Sequence, residues 1–364
     1  MSAPTSAAAL DHVVVHGLKI PLGLHLHASV AQSMAAGHYE SDELHALQAL
    51  LQPDDVVLEL GTGIGVLATF CAKLLGADKV HTFEANPALE SVIRRTFALN
   101  DVAPRLEICV LGQGSGELSF FVDEAFWSSS LLPRGAGATA IQVPVRDFNE
   151  EVARLQPTLM VIDIEGGELE LLRHADLGTL RTLVIELHPG AFGAAALDEV
   201  VSGLYARGFA ALRRASSGDV LALRRGAEDD AMGQSDAVAH LAWSRWQRAL
   251  ATTLRIVPPQ ATAIVVDDGC WPEAALEGRL RRHLMDKDGD HGGLPGSDDE
   301  AVAEVERLRG AGAGFLVLAC TAQWWRAQYP GLFAHLHARY ACNHDSADLL
   351  IFALDRPAAA GDAP

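Results

Sequence analysis

The residues best suited to chemistry stand in two short alternating runs, Asp163-Ile164-Glu165 and Glu186-Leu187-His188. Side chains two apart on an extended strand share one face, so each run presents a pair of polar groups together. An imidazole is the side chain best suited to take a proton near neutral pH, and crowded carboxylates raise one another's proton affinity. Glu165 and His188, with Glu186 beside them, are therefore candidates for receiving the proton of a reacting hydroxyl. The structural alternative is that Glu165 caps the helix that follows and that Glu186-x-His188 is held in a loop by backbone hydrogen bonds.

A second constellation lies upstream, in Glu59-Leu60-Gly61-Thr62-Gly63-Ile64-Gly65. A buried strand ends there and a helix begins near Val66, where free N–H groups and a backbone without Cβ let a nucleotide-like ligand lie close. A dinucleotide fingerprint needs G-x-G-x-x-G, but Val66 stands where its third glycine falls. The acid-x-G-x-G-x-G form favours S-adenosylmethionine. Glu84 follows Gly65 by nineteen residues, ends the next strand and is placed to accept hydrogen bonds from two ribose hydroxyls. Gln113, just past the third strand, can meet the adenine edge, or it is simply solvated.

These motifs resemble the FkbM family of methyltransferases. The likeness rests on Val57 to Gly65, Phe83-Glu84-Ala85-Asn86-Pro87, Ile162-Asp163-Ile164-Glu165-Gly166 and Ile185-Glu186-Leu187-His188-Pro189, and covers roughly Tyr39 to Gly193. It departs at Gly167, where members more often carry alanine. The resemblance implies a Rossmann-like class I methyltransferase fold with a seven-stranded, mostly parallel sheet. It also implies O-methylation of a hydroxyl on a glycan or small natural product. It adds Tyr39 and Glu40 as a segment over the cofactor, and Asp163 near the cofactor's amino group. With Glu59, Gly61, Gly63, Gly65, Glu84, Ala85, Asn86 and Gln113 these make the expected cofactor set. Tyr39 can instead be an ordinary packing residue at a helix start. Asp163, Glu165, Glu186 and His188 also have the oxygen-rich, single-imidazole composition of a magnesium or manganese site, but Asp163 is expected at the cofactor, so no metal is assigned.

The elements that must position these groups alternate between short β-rich runs and helical patterns from Val56 to about Arg224, the signature of a parallel sheet covered on both faces. Strands are expected at Val56–Leu60, Lys79–Glu84, Leu106–Leu111, Leu159–Ile164 and Leu183–Leu187. Phe209–Arg213 and Val220–Leu223 should close the sheet as a hairpin around Ser216-Ser217-Gly218-Asp219. Ser41–Leu51 reads as a helix with Leu44, Leu47, Leu50 and Leu51 on one stripe. Phe126 to Ser130 reads either as a loop able to cover the site or as a surface loop anchored by Trp127.

Near Gly226 to Ser235 the pattern breaks into a linker, dividing the chain into a methyltransferase domain (1–228, with a cap region 1–52) and a small α/β unit (236–364). That unit resembles an accessory domain found beside bacterial glycosyltransferases. Its Trp pairs read as core or interface anchors, and Asp267-Asp268-Gly269 as a strand-end turn.

The 364 residues carry 28 Lys plus Arg against 47 Asp plus Glu, a net charge of -19 that repels nucleic acid and anionic membranes. Five scattered cysteines without a C-x-x-C pair suggest neither a disulfide framework nor structural zinc. No uninterrupted apolar run of about 18 residues occurs, and a cytoplasmic protein with a small-molecule or glycan acceptor is expected, with a homodimer as the assembly considered. The rival readings are a non-catalytic binding or scaffold protein with a methyltransferase-like fold in glycan assembly and, more distantly, a nicotinamide-dependent oxidoreductase.

Overall fold

A computed structural model describes residues 12–22, 34, 39–122, 139–164, 167–267, 271–287, 290–291 and 293–357. Glu165, the loop from Phe126 to Ser130, and Asp268-Gly269 lie outside the described residues. The chain divides into two compact units, Met1–Leu241 and Ala242–Pro364.

The first unit opens with a hairpin, β1 (His12–Val15) and β2 (Leu18–Pro21), followed by α1 (Ser41–Leu50). Then come β3 (Val57–Leu60), α2 (Val66–Leu75), β4 (Val80–Glu84), α3 (Glu90–Leu99) and β5 (Arg105–Ile108). After β6 (Val110–Gly112), β7 (Gly116–Val122), β8 (Thr139–Asp147) and α4 (Phe148–Leu155), the chain returns through β9 (Leu159–Ile162), α5 (Glu168–His174) and β10 (Thr182–Glu186). It closes with α6 (Pro189–Ala206), β11 (Phe209–Ala211), β12 (Val220–Arg225) and α7 (Gln234–Ile256), the last crossing the division between units.

The main sheet has the order β11-β12-β10-β9-β3-β4-β5, and only β12 runs against the others. This is the expected seven-stranded, mostly parallel, Rossmann-like sheet, with the hairpin at its edge. The chain moves outward from β3 to β5 and then comes back to β9 beside β3. The strand order reverses between β3 and β9, which opens a crevice at their carboxyl ends.

Strand parity decides which side each polar tip faces. Val57, Leu159, Val161 and Val184 join the core that contains α1, α2 and α3. Leu58, Met160, Ile162, Leu183 and Ile185 join the opposite core with α4, α5 and α6. Continuing the pleat, Asp163 follows the face of Val161, and Glu186 and His188 follow that of Val184. Both tips therefore turn toward the side where α1 packs.

The amino ends of the central strands are tied by Asp55, which is fully buried. It accepts from Gln52 N at 2.7 Å, the Thr158 hydroxyl at 2.6 Å and Arg181 Nη2 at 2.7 Å, joining the approaches to β3, β9 and β10. Asp55→Ala leaves these donors unmatched, and we expect it to cost about 3 kcal/mol, read as a lower urea midpoint with an unchanged slope.

Two features differ from expectation. The run Leu106–Leu111 is broken at Cys109 into β5 and β6, and β6 leaves the main sheet to pair in parallel with β8, which pairs antiparallel with β7. The stretch 226–235 holds the buried Met232 and the start of α7, so it is not an open linker.

The second unit contains β13 (Thr262–Val266), β14 (Leu280–Arg282), β15 (Asp286–Lys287), β16 (Asp290–His291), α8 (Asp298–Gly310), β17 (Phe315–Ala319), α9 (Trp325–Gln328), α10 (Pro330–Arg339), β18 (Tyr340–Asp345) and β19 (Leu349–Pro357). Its main sheet has the order β14-β13-β17-β19-β18. Asp267 is buried at the end of β13, where it accepts from Trp271 N and pairs with Arg281 at 3.1 Å, a structural turn. Trp271 and Trp325 are core residues, whereas Trp243 and Trp324 are exposed. No helix among the described residues is long and apolar enough to cross a membrane.

Candidate active site

A cavity of about 640 Å³ opens at the carboxyl ends of β3, β4 and β9. Among the expected cofactor residues Tyr39, Glu40, Gly61, Gly63, Glu84, Ala85, Gln113 and Asp163 line it. The remaining three sit behind its wall. Gly65 packs against Phe97 and Ile93 of α3. Asn86 is buried and accepts from Ala88 N at 3.0 Å, capping the turn after β4.

Glu59 lies under the glycine loop on the α2 side. The Thr82 hydroxyl donates to it and also meets the Thr62 hydroxyl, so the acid braces the loop from below. Burial pushes Glu59 up to about 8, with the Thr82 hydrogen bond opposing that rise.

Glu84 has its carboxylate on the cavity side, at the tip of β4. Its Oε2 accepts from Gly63 N at 3.0 Å and its Oε1 from Asn86 N at 2.8 Å. Burial pushes it up to about 7, while the backbone donors of Asn86, Gly63, Ala85 and Thr62 hold it lower than burial alone would. A carboxylate fixed in this way still has lone pairs for a diol.

Tyr39 and Glu40 enter from the start of α1, and the Tyr39 hydroxyl comes within 3.2 Å of where a Cβ on Gly63 would sit. Burial, then the nearby Glu40 and Asp163 carboxylates, pushes Tyr39 well above the ordinary phenol value. Glu40 is likewise pushed well above the usual carboxylate range by burial and by Glu43. One Glu40 oxygen is buried without a hydrogen-bond partner within the protein, as expected of a group meant to meet a ligand.

Asp163 begins where β9 ends, its N–H donating to Leu60 O at 2.9 Å. Its Oδ1 is 3.7 Å from His188 Nε2, and Glu186 Oε2 is 3.8 Å from the same nitrogen. The two strand tips do converge. Glu186 and His188 do not themselves line the cavity, and they reach it through Asp163.

Two acids complete the group that sequence reasoning missed. Glu168, in the first turn of α5 and fully buried, bonds His188 Nδ1. Glu43, one turn into α1, is pushed up to about 8 by burial and by Glu186, with which it hydrogen-bonds. Glu43 lies three residues beyond Glu40, on the same helix face, and that spacing was the available signal. Nothing in the local sequence around Glu168 announces its partner.

Chemically, one end of the cavity offers a diol acceptor in Glu84 and the other the carboxyl groups of Glu40 and Asp163, with the His188 imidazole behind Asp163. Among the described residues no lysine or arginine lines the cavity. It is built for a cationic ligand and against a free anionic one.

The chain is similar to several known methyltransferases. The chain is 27% identical over 157 residues to AglP, a hexuronic acid methyltransferase of Haloferax volcanii, covering 42% of this chain and 63% of that protein. It thus spans less than two thirds of that relative. A ribosomal protein L11 methyltransferase of Chloroflexus aurantiacus is 36% identical over 74 residues, 20% of this chain and 22% of that one. Among solved structures it is similar to the ribosomal protein L11 methylase of Lactobacillus delbrueckii subsp. bulgaricus, at 17% identity and a TM-score of 0.31, covering 52% of this chain and 80% of that chain. Residues 59–211 match the methyltransferase FkbM domain, and together with the distant hexuronic acid methyltransferase this match supports an FkbM-family methyltransferase.

Proposed function

We propose that the chain is an S-adenosylmethionine-dependent O-methyltransferase acting on a hydroxyl of a glycan or small natural product. The observation that carries this reading is one cavity that joins the buried Glu84 and the glycine loop to Asp163 at the tip of β9. Glu84 would hold the ribose hydroxyls. Tyr39, Glu40 and Asp163 would face the methionine end, where a sulfonium and an ammonium bring positive charge to carboxylates. Gln113 stands beside the adenine side. The partnerless Glu40 oxygen and the absence of lysine and arginine on the described cavity wall fit this cofactor.

When bound, the cofactor supplies a methyl group on a sulfonium-activated carbon. The protein's share is alignment of the acceptor oxygen and disposal of its proton. Asp163 would lie nearest the methyl group, with Glu186 and His188 directly behind it, and the hydroxyl proton would be taken up within this group. Glu168 on Nδ1 fixes the tautomer that leaves Nε2 toward the site. The hexuronic acid named for the distant relative makes sugar hydroxyls the first acceptors to try.

Calorimetric titration with S-adenosylhomocysteine and with NAD tests the cofactor. Heat with the first and none with the second is expected, and the reverse would return the oxidoreductase reading. For the reactive end, His188→Ala is expected to lower methyl transfer to a responsive acceptor by about 100-fold or more while S-adenosylhomocysteine affinity stays within about threefold. Full turnover in that variant would remove the imidazole from the reaction.

A further inference from the structure

We propose that Asp163, Glu186 and His188 form a site for one divalent cation of the magnesium–manganese class, where the acceptor oxygen docks. One donor atom from each residue lies within 4.8 Å of the others. His188 Nε2 is 3.7 Å from Asp163 Oδ1 and 3.8 Å from Glu186 Oε2. Neither distance is a hydrogen bond. Adjacent donors of an octahedral ion held at about 2.1 to 2.3 Å lie about 3.0 to 3.3 Å apart, so each gap has to close by about half an ångström when an ion binds.

A second observation is independent of that spacing. His188 Nδ1 is bonded to Glu168, which is fully buried. A metal-ligating histidine characteristically gives its other ring nitrogen to a carboxylate in this way, which fixes the tautomer and the ring plane. The donors also stand on rigid ground, since β9 and β10 are adjacent parallel strands, with Ile162 in register with Ile185.

The donor set selects the ion. Two carboxylates and one imidazole without thiolate suit magnesium or manganese, and three protein donors leave positions for water and for an acceptor hydroxyl. Charge points the same way. The two carboxylate donors stand within one donor cluster, and an acceptor bearing its own carboxylate would be repelled there without an intervening cation. What the ion does for the acceptor rests on the methyl-transfer reading. That the ion binds does not. With Nε2 given to the ion, His188 would be a ligand and the hydroxyl proton would go to another group.

The test is titration of the full chain, freed of metal by chelation, with Mn2+ followed by electron paramagnetic resonance, with and without S-adenosylhomocysteine. One saturable ion per chain is expected. His188→Ala and Glu186→Gln should each weaken it at least tenfold, and Glu168→Gln, which keeps the shape of the buried group, by about tenfold. Circular dichroism melts establish that each variant is folded. No saturable Mn2+ binding by the wild type, or unchanged binding in folded His188→Ala and Glu186→Gln, would overturn the site. If Mn2+ binds while S-adenosylhomocysteine does not, the cation site stands and the cofactor reading falls. If only S-adenosylhomocysteine binds, the cation site falls and the cofactor reading stands.

Discussion

Glu84→Ala is expected to weaken S-adenosylhomocysteine binding by about 100-fold, because the two charge-assisted hydrogen bonds proposed to the ribose would be lost and the Gly63 and Asn86 N–H groups lose their acceptor. Glu84→Gln keeps the shape and one acceptor oxygen, and should lose about tenfold with its melting temperature nearly unchanged. The same residue sets a pH dependence. In the ligand-free protein burial holds Glu84 up at about 7, and hydroxyl donors favour its charged form, so its pKa must fall when ribose binds. Affinity is then full above about pH 7 and drops as pH falls through that value, by at most about tenfold per unit. Glu59, raised to about 8 chiefly by burial and also by Glu84, titrates in the same range, so the slope belonging to Glu84 is the part that Glu84→Gln abolishes. Calorimetry of both proteins at pH 6 and pH 8 separates the two. A wild-type affinity that does not change between these pH values would reject Glu84 as the ribose acceptor.

Gly61→Ala should be still more damaging, and to the fold rather than to binding alone. A Cβ there would sit 1.7 Å from the Asp163 carbonyl oxygen, a backbone atom with nowhere to go, and Gly61 has a φ of 87°. The clash falls where β3 passes β9, between the Gly61 N–H bond to Phe83 O and the Asp163 N–H bond to Leu60 O. Left-handed strain costs about 1 kcal/mol and forced backbone displacement several more, so a loss of about 4 kcal/mol and a melting temperature about 10 °C lower are expected. A thermal melt of purified Gly61→Ala checks this. A fall of under about 3 °C would mean that the crevice is looser than described.

Legibility in the sequence followed burial. Strands β3, β9 and β10 were readable because Val57–Leu60, Leu159–Ile162 and Thr182–Ile185 are buried on both faces, which writes short, largely apolar runs into the chain, interrupted only by Glu59 and Thr182. Strands β7 and β8 were not. In β8 only Val143 is buried, and the strand is held by backbone pairing with β7 rather than by an apolar stripe. The glycine loop and Glu84 were legible because close backbone approach and a carboxylate at a strand end leave local marks. Glu59 looked like part of the same motif, yet its parity with Val57 carries it beneath α2, where it braces the loop. Glu43 and Glu168 acquire their meaning only from Glu186 and His188, which folding brings to them from distant positions.

The direction of both tips is inherited from the alternation of β9 and β10, and this limits how the protein can diversify. Gaining or losing a single residue just before Asp163 or Glu186 would shift the reading frame of the pleat and swing that acid into the opposite core. New acceptor preferences must therefore arise by exchanging side chains at fixed positions on the tips, with changes in length confined to the connecting segments.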